Sequence, residues 1–169
     1  MNQAAPPPRG EIAAPLDGAP AYDLIELFFF AYRDFVNDPD RVLAGYGFGR
    51  AHHRVLHFVD RRPGLTVAEL LDLLQITKQS LSRVLRELVG RGFVESRVGT
   101  ADRRQRLLFA TAPGRALALE LAGLQSRRIR RALGARPDEA EAAASLFLRA
   151  MRDPPAEARP ETCPPETRP

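Results

Sequence analysis

The spacing of apolar side chains along the chain predicts a series of helices and one hairpin. Residues 21–37, AYDLIELFFFAYRDFVN, are apolar on nearly every side, which is typical of a helix covered on more than one face. Asp38 and Pro39 have the pattern of an N-cap followed by proline in the first helical turn, so a second short helix is expected over residues 38–44. A glycine-rich loop then leads to a helix predicted over residues 50–61.

Two capping signals lying close together predict a pair of short helices. Thr66 and Glu69 form a T-x-x-E capping box, so a helix is expected over residues 67–75. Thr77 offers a second N-cap, and residues 78–91 after it carry apolar side chains at i, i+3, i+4 and i+7. Two short helices joined by so tight a turn indicate a helix-turn-helix. The expected core residues of the pair are Val67, Leu70, Leu71, Leu74, Leu81, Val84, Leu85 and Leu88.

The segment after the helix-turn-helix has the pattern of two strands and then two more helices. Residues 93–97 and 104–110 are predicted to pair as a β-hairpin, and a hairpin after a helix-turn-helix makes a winged helix. Thr111 is expected to cap a long helix, and Pro137 to begin the last one. Their apolar stripes are Leu117, Leu121 and Leu124, and Ala142, Ala143, Leu146, Phe147 and Ala150.

Length and composition indicate the number of domains and the cellular compartment, but say little about activity. With 169 residues and 44% hydrophobic side chains, the chain is long enough for one domain with a core. The single cysteine, Cys163, excludes an internal disulfide or a cysteine-based metal site. Neither a signal peptide nor an apolar run of about 20 residues is present, so we expect a cytoplasmic protein with no membrane association.

Charge is unevenly distributed along the chain. The formal net charge is only +4, yet eight basic side chains and three acids lie between Lys78 and Arg106. Localised positive charge on a predicted helix-turn-helix and hairpin indicates a nucleic-acid partner, here double-stranded DNA. An alternative for the hairpin alone is a solvated loop with charges for solubility. The competing function for the whole chain is a winged-helix module that binds a protein partner.

A winged helix places its second helix in the major groove and its hairpin tip in the neighbouring minor groove. The core face of that helix leaves side chains exposed that suit DNA, because glutamine pairs with adenine, arginine pairs with guanine, and serine and lysine bind phosphates. Arginines at the wing tip suit a narrow, negative groove. Asp102 is interpreted as a wing-structuring residue that orients a neighbouring arginine. The predicted DNA contacts are Lys78, Gln79, Ser80, Ser82, Arg83, Arg86, Arg103 and Arg104.

These residues carry a resemblance to a known family. The region from Gly64 to Leu121 resembles the MarR family of bacterial transcription regulators, whose wing signature is D-x-R followed by L-T-x-x-G-R. The sequence matches with D-R-R at residues 102–104 and A-T-A-P-G-R at residues 110–115, where alanine replaces the usual leucine. The run FFFAYRDFVNDPDRVLAGYGFGRAHHRVLHF resembles the PetP-type branch of this family in alphaproteobacteria.

The resemblance implies a homodimer in which the N-terminal and the two C-terminal helices form a shared dimerisation domain. It also implies that Ser80 and Arg83 contact bases or phosphates and that Arg104 is the minor-groove arginine. The apolar helix independently favours a dimer, because one small domain cannot cover both its faces. Two recognition helices about one DNA turn apart then predict a pseudo-palindromic operator.

The predicted fold class is mainly α with a small β-hairpin wing, comprising a winged helix-turn-helix domain and a helical dimerisation domain. The chain is divided into a disordered tail (1–20), N-terminal helices of the dimerisation and junction region (21–62), the DNA-binding region (63–111), C-terminal dimerisation helices (112–152) and a disordered proline-rich tail (153–169).

A small-molecule effector is the remaining partner considered. His53 and His57 are four residues apart on the helix before the helix-turn-helix, so both can face one ligand or metal ion. Arg54 and Tyr32 are further candidates for binding an aromatic or phenolic anion. The alternative is that all four side chains simply pack the junction between domains. No metal site is assigned, no cofactor is expected, and no catalytic constellation is evident, so the chain is not predicted to be an enzyme.

Overall fold

The computed structural model describes residues 19–99 and 104–152 of the chain. Within them the helices are α1 (Tyr22–Gly45), α2 (Arg50–Arg61), α3 (Val67–Leu74), α4 (Lys78–Gly90), α5 (Ala112–Leu133) and α6 (Pro137–Ala150). The strands are β1 (Leu65–Thr66), β2 (Val94–Val98) and β3 (Arg106–Ala110). This mainly helical fold with a hairpin wing confirms the predicted class. None of the helices in the described ranges is long and apolar enough to cross a membrane. The segments predicted to be disordered tails lie almost wholly outside the described residues.

The helix-turn-helix forms as its capping signals predict. The Thr66 amide donates to Glu69 Oε2 at 2.8 Å, and the Glu69 amide donates to Thr66 Oγ1 at 3.2 Å, which completes the capping box of α3. Thr77 caps α4 in the same way by accepting the Ser80 amide at 3.2 Å. Gln75 ends α3 in the left-handed conformation with φ of 50°, which turns the chain sharply into α4. Six of the eight predicted core residues are buried, and Val67 and Leu71 are partly buried.

The wing belongs to a three-stranded antiparallel sheet and is not an isolated hairpin. The strand order is β1-β3-β2, so Leu108 of β3 lies opposite both Leu65 and Ser96. The two-residue strand β1 was not predicted from the sequence, and both hairpin strands begin later than predicted. Phe93 lies outside β2 because its amide donates to the Leu88 carbonyl at 2.9 Å, which closes the end of α4 instead.

The prediction of two helices over residues 21–44 was wrong, because α1 continues through Pro39. Asp38 does not cap a new helix. Its carboxylate instead accepts from Arg128 of α5 at 2.9 Å, and Pro39 beside it is fully buried. Packing of α1 against α5 therefore outweighs the backbone hydrogen bond that proline removes from a helix interior.

The N-terminal half of α1 and all of α6 remain largely uncovered within one chain. No residue of α6 is buried, and the buried residues of α1 are confined to Val36, Pro39 and Leu43. The expectation that α1 is covered on more than one face is thus not met by this chain alone. The exposed large apolar side chains of the two helices are Tyr22, Leu24, Ile25, Leu27, Phe29, Phe30, Tyr32, Leu146, Phe147 and Leu148.

Candidate nucleic-acid interface

The candidate recognition surface is the solvent face of α4. Leu81, Val84, Leu85 and Leu88 hold the opposite face in the core, so the polar side chains of α4 that are predicted to meet DNA are exposed. These side chains lie together along one surface depression of about 840 Å³. Its lining residues are Lys78, Gln79, Ser80, Ser82, Arg83 and Arg86.

Hydrogen bonds at the start of α4 orient its first polar side chain. Thr77 Oγ1 donates to Ser80 Oγ at 2.9 Å while it accepts the Ser80 amide. The Ser80 hydroxyl proton therefore points away from Thr77 and is free to meet an external acceptor. The helix N-terminus also favours negative charge, so the arrangement suits a phosphate oxygen.

The wing extends from the same domain. In the register of β2 and β3, Arg97 lies opposite Leu107, and its guanidinium stacks 4.5 Å from the centre of the Phe109 ring. Arg97 also pairs with Glu95. Arg104 is exposed just before β3. Asp102 and Arg103 lie outside the described residues, so their predicted roles stay predictions.

A carboxylate connects the recognition helix to α2. Glu87 accepts from Arg83 Nε at 3.2 Å and lies 2.8 Å from Nε2 of His52. These hydrogen bonds hold the pKa of Glu87 below its usual value, the bond with His52 having the larger effect. This link between Glu87 and His52 was not predicted from the sequence. The i, i+4 spacing of Arg83 and Glu87 was its only trace in the sequence, since the histidine comes from another helix.

A cavity of about 400 Å³ lies between α1, α2 and α5, and it brings together all four residues predicted to meet a ligand. Its walls are mainly apolar, with polar groups contributed largely by α2. The lining residues are Tyr32, Phe35, Val36, Arg50, His53, Arg54, His57, Phe58 and Gln125.

The cations of the cavity are held by partners outside it. Arg50 Nε donates to Asp40 at 2.8 Å, and Arg54 Nη2 donates to the Leu74 carbonyl at 2.9 Å, at the end of α3. Partial burial lowers the pKa of both His53 and His57. Arg61 lowers the pKa of His57 further, and a proton on His57 would disfavour a second one on His53. Neutral imidazoles beside two guanidiniums suit a partly aromatic anion better than a cation.

A metal site at the two histidines finds no support in the described part of the chain. Within residues 19–99 and 104–152, no three histidine, cysteine or acidic side chains lie close enough together to hold a metal ion. Two ligands alone leave a transition metal without the three or four protein ligands that zinc sites use.

Comparison with known proteins places these features in context. The sequence model of the MarR family matches residues 46–105. Over 130 residues the chain is 52% identical to the HTH-type transcriptional regulator PetP of Rhodobacter capsulatus, covering 77% of this chain and 78% of that protein.

Solved structures share the fold at lower identity. The transcriptional regulator SlyA superposes with a TM-score of 0.64 at 15% identity, over 77% of this chain and 92% of that one. A MarR transcriptional regulator from Methanosarcina mazei Go1 gives 0.64 at 21% identity, over 79% and 89%. The transcriptional repressor CouR, solved bound to a 23-mer DNA duplex, gives 0.60 at 26% identity, over 78% and 91%.

Proposed function

This chain belongs to the MarR family of transcription regulators, and from that premise we propose that it binds a pseudo-palindromic operator as a homodimer. The family assignment makes the protein a DNA-binding transcription regulator and not an enzyme. The observation that carries the finer proposal is the exposed face of α4, where six DNA-compatible side chains line one depression opposite a buried apolar face.

The uncovered apolar surface of α1 and α6 supports a homodimer. The two helices are joined within the chain by the stacked rings of Phe28 and Phe147, whose centres are 5.6 Å apart. Around this pair, large apolar side chains face water, with Phe29 68% and Leu146 72% exposed. Contiguous exposed apolar side chains of this kind mark an interaction surface. A second copy of the chain offers the same surface, so a twofold axis would cover both.

Twofold symmetry gives the operator its form. Two copies of α4 would enter successive major grooves about 34–36 Å apart, and their half-sites would then be inverted repeats. Arg83 and Arg86 are the proposed readers of bases, supported by Gln79, whereas Lys78 and the serines serve phosphates. Arg104 and Arg103 are proposed for the minor groove, with Asp102 structuring the wing.

The experiment that tests this proposal is a selection of sheared genomic DNA on the purified protein, followed by sequencing of the retained fragments. We expect enrichment of a few promoters that share an inverted repeat. Retention of DNA without any shared sequence would contradict specific recognition by α4. No retention even at low salt would favour the alternative, a winged helix that binds a protein partner.

Salt dependence separates the two alternatives quantitatively. A DNA-binding protein releases about 0.9 counterions for every phosphate that it neutralises, so the logarithm of affinity falls steeply with the logarithm of salt. We expect such a slope for duplexes carrying the selected repeat. A flat dependence would mean that the basic side chains of α4 do not meet a phosphate backbone.

We also propose that the cavity beside α2 binds a small aromatic or phenolic anion that modulates DNA affinity. The supporting observation is Arg54, which lines the cavity and also donates to the carbonyl of Leu74, the last residue of α3. An anion that draws the guanidinium into the cavity would release the end of α3, and with it the turn that positions α4. Such a ligand acts as a switch only if it binds the two arrangements with different affinity.

The effector proposal is tested with 4-hydroxybenzoate as a probe of the phenolic carboxylate class. Operator affinity is measured by fluorescence anisotropy at increasing probe concentration, in the wild type and in Arg54→Ala. We expect the probe to weaken operator binding in the wild type and to have no effect in the variant. An equal response of both proteins would show that Arg54 does not transmit occupancy of the cavity.

A further inference from the structure

The hydrogen bonds around Glu87 fix one exposed guanidinium of the recognition helix through a side chain of another helix. Arg83 is 80% exposed and Glu87 39% exposed, whereas His52 is only 13% exposed. In the series His52–Glu87–Arg83, the histidine is therefore the member held most firmly by the protein. Arg83, the most exposed member, lies on the surface of α4 that is proposed to bind DNA.

The orientation of the His52 ring is determined by two further contacts. The Gly49 amide donates to Nδ1 at 3.1 Å, so in the neutral ring the proton must be on Nε2, where it is donated to Glu87. The ring also stacks on Phe48, with centres 4.6 Å apart and an interplanar angle of 15°. Because Phe48 is buried in the core, the imidazole is held against a rigid surface.

The carboxylate engages Arg83 through Nε. A guanidinium has five N–H donors, and among the described residues Arg83 uses the Nε donor alone. The four Nη donors remain to pair with a base, and a bidentate pair with guanine needs their plane to be correctly set. An isolated i, i+4 ion pair on a surface is weak and mobile. Anchoring the acid to α2 makes this pair different, since the acid cannot follow the arginine to other rotamers.

From this geometry we infer that Glu87 is a positioning residue for Arg83 and that His52 fixes Glu87, so that α2 sets the plane in which the recognition helix presents its guanidinium. The inference rests on the proposed function, in which Arg83 contacts a base. It assigns to Glu87 a role in sequence discrimination and not in affinity as such.

The sign of the charge makes the inference testable. A carboxylate beside DNA repels phosphates, so removing it should strengthen binding to any duplex if it does nothing else. A positioning carboxylate has a second effect, because its loss also lets Arg83 sample rotamers that miss the base. The ratio of operator to non-specific affinity therefore separates the two roles, whereas operator affinity alone does not.

The experiment measures that ratio for the full-length protein on the selected operator and on a scrambled duplex at one fixed salt concentration. Glu87→Gln should reduce the ratio about tenfold, the order of discrimination carried by one bidentate base contact. Glu95→Gln is the matched control. It removes one equally charged acid that is paired to an arginine of the same domain, but that contacts no histidine in residues 19–99 and 104–152. The control should leave the ratio unchanged.

Two further variants test the chain of contacts itself. His52→Ala should reduce the ratio as Glu87→Gln does, while His52→Gln, which keeps a donor for the carboxylate, should restore most of it. In an Arg83→Ala background, Glu87→Gln should have no further effect on the ratio. An unchanged ratio in Glu87→Gln, with both affinities raised equally, would overturn the inference.

A measurement without DNA guards against variants that fold poorly. Long-range ¹H–¹⁵N spectra of the wild-type histidine rings should show His52 as the tautomer protonated on Nε2. A ring protonated on Nδ1 would contradict the geometry directly. Failure of the proposed function would give a different result. If Arg83→Ala left the operator affinity unchanged, Arg83 would not contact a base, whereas the His52 tautomer would still be the one described.

Discussion

Individual arginines of the DNA-binding domain differ in what holds them. Arg97 lies on Phe109 and is paired with Glu95, and Arg91 lies 4.5 Å from the centre of the Phe48 ring while donating to the Tyr46 carbonyl. Arg97 thus stabilises the wing, and Arg91 joins the end of α4 to the loop between α1 and α2. An arginine in this domain therefore need not contact DNA. Substitutions are needed to tell which arginines recognise bases and which bind phosphates.

Arg104→Ala and Arg83→Ala should weaken DNA binding in different ways. Loss of Arg104 from the wing should weaken binding to operator and scrambled duplexes alike and lower the salt slope by about one. Loss of Arg83 should cost about 1–3 kcal/mol, mostly at one base pair of the operator. Fluorescence anisotropy across a salt series measures both. Arg127→Ala, an exposed arginine on the distant part of α5, is the control expected to change neither quantity.

Partial burial of His53 makes stability depend on pH. Burial lowers the pKa of His53 from its ordinary value of 6.5 in the folded protein, so the unfolded chain binds more protons below that pH. Above about pH 6.5 the ring is neutral in both states and does not affect stability. As the pH falls below this value, protonation of the unfolded chain lowers the free energy of unfolding. We expect the melting temperature to fall between pH 7.5 and 5.5, and to fall less in His53→Gln. A melting temperature that rises over this interval would contradict the burial of a neutral ring.

At the scale of elements, local signals determine where most helices begin. The Thr66–Glu69 box and the Thr77 cap were predictable because each depends on residues within one turn. Pro39 was misjudged because its position in α1 depends on Arg128, which is 90 residues away from Asp38. The strand β1 was missed because two residues form no pattern. In the site, the exposed face of α4 followed from its core face, but the link through His52 requires two helices to meet.

The packing of α5 against the wing depends on Gly114. A β-carbon at this position would lie 1.9 Å from the Phe93 carbonyl oxygen and 2.8 Å from its carbonyl carbon, and backbone atoms cannot move aside easily. Gly114→Ala should therefore lower the free energy of unfolding by about 1–3 kcal/mol. Urea unfolding measures the change. Gly90→Ala, where nothing lies within 4 Å of the added carbon, should change it by less than about 0.5 kcal/mol.

At the scale of the whole molecule, the exposed apolar surface of α1 and α6 needs to be covered, and one chain does not cover it. The core joins α2, the helix-turn-helix, the sheet and α5, while the first half of α1 and all of α6 contribute nothing to it. A stable interface between copies buries about 1,200–2,000 Å² in total. The apolar side chains of the two helices offer the surface for such an interface.

Phe29→Asp should convert the proposed dimer to a monomer. The substitution places a charge on a side chain that is 68% exposed in one chain and that the proposed interface would bury. Sedimentation velocity at micromolar concentration should show the chain mass instead of twice that mass, with weakened binding to the inverted repeat. Val89→Asp, an exposed apolar position on α4, should leave the dimer intact. A dimeric Phe29→Asp protein would place the interface elsewhere.

The central position of β3 has a consequence for how this regulator can diverge. Leu108 is aligned by Leu65 of β1 as well as by Ser96 of β2, so the register of β3 is set from outside the hairpin. Insertions between β2 and β3 need not shift that register, and doubling a flexible loop costs only about 0.6 kcal/mol. We therefore expect the length of the wing to tolerate change more readily than the register of β3. A longer or shorter wing would change how far along the proposed minor groove the protein reaches, while α4 stays where it is.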